Sequence, residues 1–489
     1  MKIYNPQVTI GNVNRELTKI SDNTTAGLLM IADGRLFSIK GRNSQRNKNE
    51  YSGITLPIEH PLKAGLLNAF EIPFPNESAN LIDANGIGGE GAYALFDNGN
   101  LYTWGANETG QLGLGDKTVR YTPQLAAVNV AKVFTHPSNA GGSRESGRLF
   151  YQHEDGWVYG TGENKYGELG IGDRTDRTTF IQCTWMGRNP KSVWNLGTYH
   201  GATVVQKSDN SIWVAGANLD GALGIGNTNV QSTGIDSGES TWLGNDPTFE
   251  IKKICYQSRW YSGTLDPNAK NSMIMLLDNG SMTRLVGSGY NNYGTLGRGN
   301  TANISTPQAP IGMDLTHVKD FITKADTVGS TYVLLENGEL WAYGYNQHGN
   351  LGDGTTTNRS TPSIVLTDVL EIPDSHQAIQ IWGYRTPSPI VRTADGYFNT
   401  GVNIQFSLGT GNMSNEQVTT SWQKIRLPRR FESKFFGVIN SGTNRITRIA
   451  IDLDNNIYAW GDNDDNMLDT YESNHVSVPL LYSPPALKS

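Results

Sequence analysis

Eight histidines are the first residues to weigh for chemistry, and they do not assemble into a metal set. His60, His136, His153, His200, His317, His348, His376 and His475 are scattered along 489 residues, with no two at ligand spacing on one element. Asp462, Asp464 and Asp465, with Asn463 and Asn466, resemble a calcium loop but lack the glycine and the distal Glu that such a loop needs; they read as a solvated loop. The spaced glycines from Gly110 to Gly115 read as the end of a hairpin, and no Gly-x-x-x-x-Gly-Lys-Ser/Thr is present. No Ser or Cys has the context of a nucleophile elbow, and no spacing singles out a carboxylate pair for proton transfer. Cys183 and Cys255 fall in different repeats and are expected as free, semi-buried thiols, which excludes a disulfide scaffold and a cysteine-ligated zinc. The chain therefore offers no catalytic residue, no cofactor motif and no metal site, and it points away from an enzyme.

Residues suited to recognition are easier to find. Tyr199-His200, Arg259-Trp260-Tyr261, Tyr384-Arg385 and Asn444-Arg445 lie in segments whose sequence changes completely from one unit to the next. Trp, Tyr and Arg dominate binding hot spots because they cover much surface at modest entropic cost. The competing reading is that these aromatics fill space between repeated units. Two polar insertions, 43–57 and 231–245, read either as arms that grip a partner or as decoration; the second carries Trp242, which reads as exposed.

Such segments need a scaffold, and the scaffold is a repeat. Seven times between Gly105 and Leu468 the chain writes a variant of Gly-x-Asn-x-x-Gly-x-Leu-Gly-x-Gly, opening glycines about 54 to 73 residues apart, with a truncated eighth copy at Gly41-Arg42-Asn43. Glycine holds the sixth place at Gly110, Gly167, Gly221, Gly294 and Gly349, Asn466 holds it in the last copy and Phe406 in the seventh; the glycines predict a left-handed backbone there. The recurring Leu112, Leu169, Leu223, Leu296, Leu351, Leu408 and Leu468 are expected to pin each loop to the neighbouring unit. Upstream of each copy stands a turn, mostly Asp-Gly or Asn-Gly as in Asp97-Asn98-Gly99 and Glu336-Asn337-Gly338, with Asp209-Asn210 and Asp454-Asn455-Asn456 in two units, flanked by β-branched and aromatic runs. These predict eight antiparallel hairpins with two-residue turns. Short sheets repeated in this way imply an all-β fold, a closed β-propeller of four-stranded blades forming a single domain over 1–489. An open solenoid of hairpins is the alternative. Pro6-Gln7-Val8 resembles Pro123-Gln124-Leu125, so an N-terminal strand is expected to pair with the last blade and lock the ring.

Leu101-Tyr102-Thr103-Trp104-Gly105-Ala106-Asn107 with Gly110-Gln111-Leu112-Gly113, and Leu340-Trp341-Ala342-Tyr343-Gly344-Tyr345-Asn346 with Gly349-Asn350-Leu351-Gly352, resemble the regulator-of-chromosome-condensation repeat family. The resemblance covers nearly the whole chain and implies a propeller of usually seven blades; eight hairpins are counted here. It implies a protein-binding face and not one particular chemistry, since members include an exchange factor for a small GTPase and secreted enzyme inhibitors.

Composition bounds the partner. A formal charge of −7, with a single basic run at Lys424-Ile425-Arg426-Leu427-Pro428-Arg429-Arg430, argues against nucleic acid. No apolar run is long enough to insert in a bilayer, and the first residues carry no secretory pattern, so a soluble cytoplasmic or virion protein is expected. Three function classes remain: a non-enzymatic recognition propeller for a protein or cell-surface receptor, such as a bacteriophage tail protein assembled into a larger particle; an exchange factor for a small GTPase; and an inhibitor that plugs an enzyme with its rim.

Overall fold

The computed structural model describes the chain apart from residues 1–6, 11–12, 24–26, 33–34, 40–68, 75–76, 89–90, 135–146, 198–199, 238–241, 244–245, 259–269, 325–328, 374–388, 404–406, 412–416, 429–430, 443–444, 454–456, 463–474 and 482–489. Its strands form eight antiparallel sheets, spanning 7–71, 81–127, 130–182, 192–236, 250–308, 318–366, 369–424 and 433–481. In seven of them four strands lie side by side in chain order; the first has five. Each sheet is a blade. The first strands of successive blades face one another, as Val130–Phe134 faces Ser192–Leu196 and Glu250–Ser258 faces Val318–Lys324. Val13–Asn23 of the first blade lies against both Leu81–Gly88 of the second and Ser433–Gly442 of the eighth, the contact that joins the two ends of the ring. The fold is an all-β propeller of eight blades.

Second strands such as Gly91–Phe96, Ala202–Gln206 and Ser330–Leu335 are buried along their whole length. Both their faces are covered by adjacent blades, which is why they read as continuous runs and not as alternation. Fourth strands such as Arg120–Ala127 form the outer edge and are half-buried to exposed. Pro123, Pro307 and Pro362 interrupt that edge, removing donors that would recruit another chain. The cores lie between blades: Tyr93, Leu95 and Leu101 of the second pack with Val133, Leu149 and Tyr151 of the third, and Leu112 sits among them.

The glycine loops explain that arrangement. The amide of Asn164 donates to the carbonyls of Asp173 and Thr175 at 3.1 and 3.2 Å, and its oxygen accepts the Leu169 N–H at 2.8 Å. The equivalent bond to the recurring leucine is made by Asn107, Asn218, Asn291, Asn346 and Asn403. At the sixth place Gly110 has φ +82°, and a Cβ there would stand 2.6 Å from the Arg177 carbonyl oxygen of the next blade. Each loop is thus laid on its neighbour's outer strand. The final glycine ties it there, as the N–H groups of Gly115, Gly172, Gly226, Gly299 and Gly354 donate across the seam to Thr178, Ser232, Ser305, Ser360 and Thr420 at 2.7 to 2.8 Å.

Four expectations are corrected. The hairpin turns of the second, third, fourth and sixth blades are three-residue loops, while Asn279–Met282 and Thr393–Gly396 enclose two residues as expected: in the second blade Phe96 N–H donates to Asn100 O and Gly99 N–H to Phe96 O, so only Gly99, at φ +79°, takes positive φ. The N-terminal strand Gln7–Ile10 pairs with Val13–Asn23 in its own sheet, because a partner two residues away costs little loop entropy; the last blade is completed by His475–Leu481. The insertion placed at 231–245 begins as an ordinary outer strand, Gln231–Asp236. Trp242 within it is fully buried, its ring over Gly224 and its Nε1–H donated to Leu223 O at 2.9 Å. Residues 43–57 lie outside the described residues.

Candidate functional site

Antiparallel order sends the connections between first and second strands and the glycine loops to one face of the ring, the upper face; hairpin turns and blade-to-blade connections go to the lower face. The variable segments therefore share a face with the constant loops that brace them. Tyr199, Arg259, Trp260, Tyr261, Tyr384, Arg385 and Asn444 lie in those upper connections but outside the described residues. Arg445 opens the strand Arg445–Asp452, paired with Gly442. His200 is buried, its ring 4.8 Å from that of Tyr166, and its carbonyl accepts the Tyr256 hydroxyl at 2.7 Å. His200 thus braces the upper face from beneath.

Variable places inside the glycine sentence also reach this face, and reading the sentence as constant hides them. Its second and fifth places hold Ala106 and Thr109, Glu163 and Tyr166, Ala217 and Asp220, Tyr290 and Tyr293, then Tyr345 and His348. In the fifth and sixth blades they form an aromatic run. Tyr293 stands 6.4 Å from Tyr290 and 5.5 Å from Tyr345, which stands 5.8 Å from His348. Tyr293 and His348 are half-buried between exposed Asn292 and Gln347. Edge-to-face rings of this kind hold one another's rotamers, leaving a rigid surface for a partner.

Beneath the third and fourth blades lies a charged cluster. Arg148 opens a second strand opposite Gly162, where other blades place Gly91, Ala202, Ser272, Ser330 and Thr447. Its guanidinium donates to Asn195 Oδ1 at 2.8 Å and to the carbonyls of Leu196 and Gly197 at 2.9 and 2.8 Å. It also meets Glu163 Oε2 at 3.3 Å and Glu168 Oε1 at 3.4 Å. All three side chains are withdrawn from water, and Glu163 Oε1 has no hydrogen-bond partner. Burial, then the Glu168 charge, push the Glu163 carboxyl up to about 8, and burial raises Glu168 despite Arg148.

On the lower face a cavity of about 460 Å³ opens among the first strands of blades five to eight, lined in part by Lys252, Lys253, Lys319, Asp320, Glu371 and Phe436. Its ammonium groups are engaged by Asp278, Asp320 and the Leu370 carbonyl. Among the described residues no group of three or more His, Cys, Asp or Glu is arranged to hold a metal ion, and no helix is long and apolar enough to cross a membrane.

The repeat geometry agrees with the comparisons to known proteins. The regulator of chromosome condensation (RCC1) repeat matches residues 98–138 and 337–381. The ultraviolet-B receptor UVR8 of Arabidopsis thaliana is 25% identical over 271 residues, 55% of this chain and 54% of that protein, so the chain spans about half the length of that relative. The X-linked retinitis pigmentosa GTPase regulator of Canis lupus familiaris is 30% identical over 144 residues, 29% of this chain and 14% of that protein. The solved structure of Prp20p from Saccharomyces cerevisiae superimposes with a TM-score of 0.49 at 16% identity, covering 80% of this chain and 87% of that one. The chain thus carries regulator-of-chromosome-condensation repeats at those two segments and is similar, loop after loop, to that family of β-propellers.

Proposed function

We propose that this chain is a non-enzymatic recognition propeller that binds a protein partner through its upper face. The observation that carries the reading is the division of labour on that face: the Asn and Leu places of the described loops repeat one geometry, while neighbouring places and upper connections diverge in sequence and carry Tyr, Trp, His and Arg. Tyr293 and His348 form its described anchor, Arg259, Trp260, Tyr261, Tyr199, Tyr384, Arg385, Asn444 and Arg445 extend it, and His200 supports it from below. The partner we favour is an outer-surface receptor met by a particle-borne protein such as a bacteriophage tail component, a reading supported by few cysteines and the Asn-, Thr-, Gly- and Tyr-rich composition. Labelled protein should bind intact bacterial cells saturably. Tyr293→Ala with His348→Ala should weaken that binding by about tenfold or more, while the lower-face variant Asp314→Asn leaves it unchanged. Equal binding by all three, or capture only by a cytosolic protein, would overturn the reading.

An exchange factor for a small GTPase is the second reading, favoured by the likeness to a GTPase regulator. It expects accelerated release of a fluorescent GDP analogue from at least one member of a GTPase panel; no acceleration from any member removes it.

A further inference from the structure

The Arg148 cluster belongs to one blade. Where the third blade has Arg148, Glu163 and Glu168, the second has Gly91, Ala106 and Gln111, the fourth Ala202, Ala217 and Ala222, and the sixth Ser330, Tyr345 and Asn350. The scaffold therefore does not require it. Two carboxyls face one guanidinium out of water, so the cluster is short of one positive charge unless it holds a proton. Its guanidinium grips the Leu196 and Gly197 carbonyls, which lead directly into the variable connection before His200. Glu168 in turn accepts the Tyr166 N–H at 2.9 Å, and Tyr166 is the ring on which His200 rests.

We propose that Arg148, Glu163 and Glu168 form a proton-linked clamp on the upper end of the strand Ser192–Leu196, at Leu196 and Gly197: one proton shared by the two carboxyls keeps that end and the second strand paired with it fixed, and its loss loosens them. This names a regulation of the recognition face and rests on that reading for its purpose, not for its operation. The charged groups around Glu163 are Glu168 and Lys165 of its own loop, Arg148 of the second strand and Asp176 before the outer strand; Tyr256 and His200 approach from the fifth and fourth blades. Two of the four charged neighbours are acidic, and of the two cations beside Glu163 only Arg148 is buried, so ionising Glu163 leaves an uncompensated charge inside the seam. The raised carboxyl pKa sets the window near neutral to mildly alkaline pH.

Hydrogen exchange on the full chain tests this without a partner. After correction for intrinsic rates, protection of the amides of 200–206 should fall by about tenfold or more between about pH 6.5 and about pH 9 in the natural sequence. In Glu163→Gln, which keeps the shape of the protonated acid, it should not fall; 330–344 of the sixth blade should hold steady in both. Identical profiles for the two proteins over 200–206 would overturn the clamp. Should Glu163→Gln fail to fold, infrared spectra of the natural sequence decide: a protonated carboxyl band at neutral pH that disappears by about pH 9 supports the clamp, and no such band overturns it. Failure to find a surface receptor would leave both readouts intact.

Discussion

Glycine does two separate jobs in these loops, and single residues can tell them apart. Gly172, at φ +94°, has nothing within 4 Å of a Cβ, so Gly172→Ala carries only backbone strain, about 1–2 kcal/mol. Gly110, at φ +82°, carries the same strain, and its Cβ would also stand 2.6 and 2.7 Å from Arg177 O and Thr178 Cα. Those atoms belong to a paired strand and cannot step aside, so Gly110→Ala should cost about 3 kcal/mol or more. Urea unfolding of the two variants measures the difference; equal losses would mean that close approach contributes nothing. Glu163 makes a second residue-scale prediction. Its carboxyl ionises near 4.5 in the unfolded chain and near 8 in the fold, where burial holds the proton on. Between those values only the folded protein keeps the proton. The stabilisation is therefore complete below pH 4.5, erodes as pH rises and is gone above about 8, with a slope of at most about 1.4 kcal/mol per pH unit. Melting temperatures from pH 5 to 8 should fall more steeply for the natural sequence than for Glu163→Gln; parallel curves would mean that Glu163 is ionised throughout.

At the scale of the element, the glycine loop is held by its asparagine. Removing the Asn164 amide strands the Leu169 N–H and the carbonyls of Asp173 and Thr175. Asn164→Ala should therefore lose about 2–4 kcal/mol, and Asn164→Asp nearly as much, since a carboxylate accepts from Leu169 but donates to neither carbonyl. Thermal melts that leave Asn164→Asp close to the natural sequence would refute the donor role. The loop was legible in advance because Asn, Gly and Leu recur wherever its geometry recurs. The turn length was not: Asp97-Asn98-Gly99 suits either a two-residue or a three-residue loop, and only the Phe96–Asn100 bond decides between them. Trp242 misled because its burial depends on Gly224 and Leu223, on the far side of an outer strand. Arg148 was invisible for a related reason. Its carboxylate partners stand 15 and 20 residues away across its own hairpin and glycine loop, and those 47 to 49 residues away become neighbours only when two blades meet. Tyr293 and His348 were overlooked inside a motif whose constancy drew attention from its variable places.

A ring differs from an open array in what its ends contribute. In an open array the last unit shares one interface, and losing it lowers stability by one increment. Here the eighth blade serves two neighbours. Phe436 and Tyr458 pack edge-on or tilted against Phe431 and Tyr397 of the seventh-blade seam, and Trp460 Nε1–H donates to Ser407 O at 2.9 Å. On its other side Ser433–Gly442 lies against Val13–Asn23. A chain ending after residue 428 would expose a core face on both the seventh blade and the first, and would open the ring as well. We expect such a chain to lose its cooperative thermal transition and not merely a few degrees of melting temperature. The two cysteines supply an independent reading. Cys183 and Cys255 are buried in the third and fifth blades, and burial pushes the Cys183 thiol up to about 12. In the intact ring both should resist a thiol reagent until the protein is denatured. In the truncated chain both should react at native temperature, although neither touches the missing blade. Protected thiols together with a cooperative melt in the truncated chain would mean that the blades stand as an open stack, each answering only to its immediate neighbours.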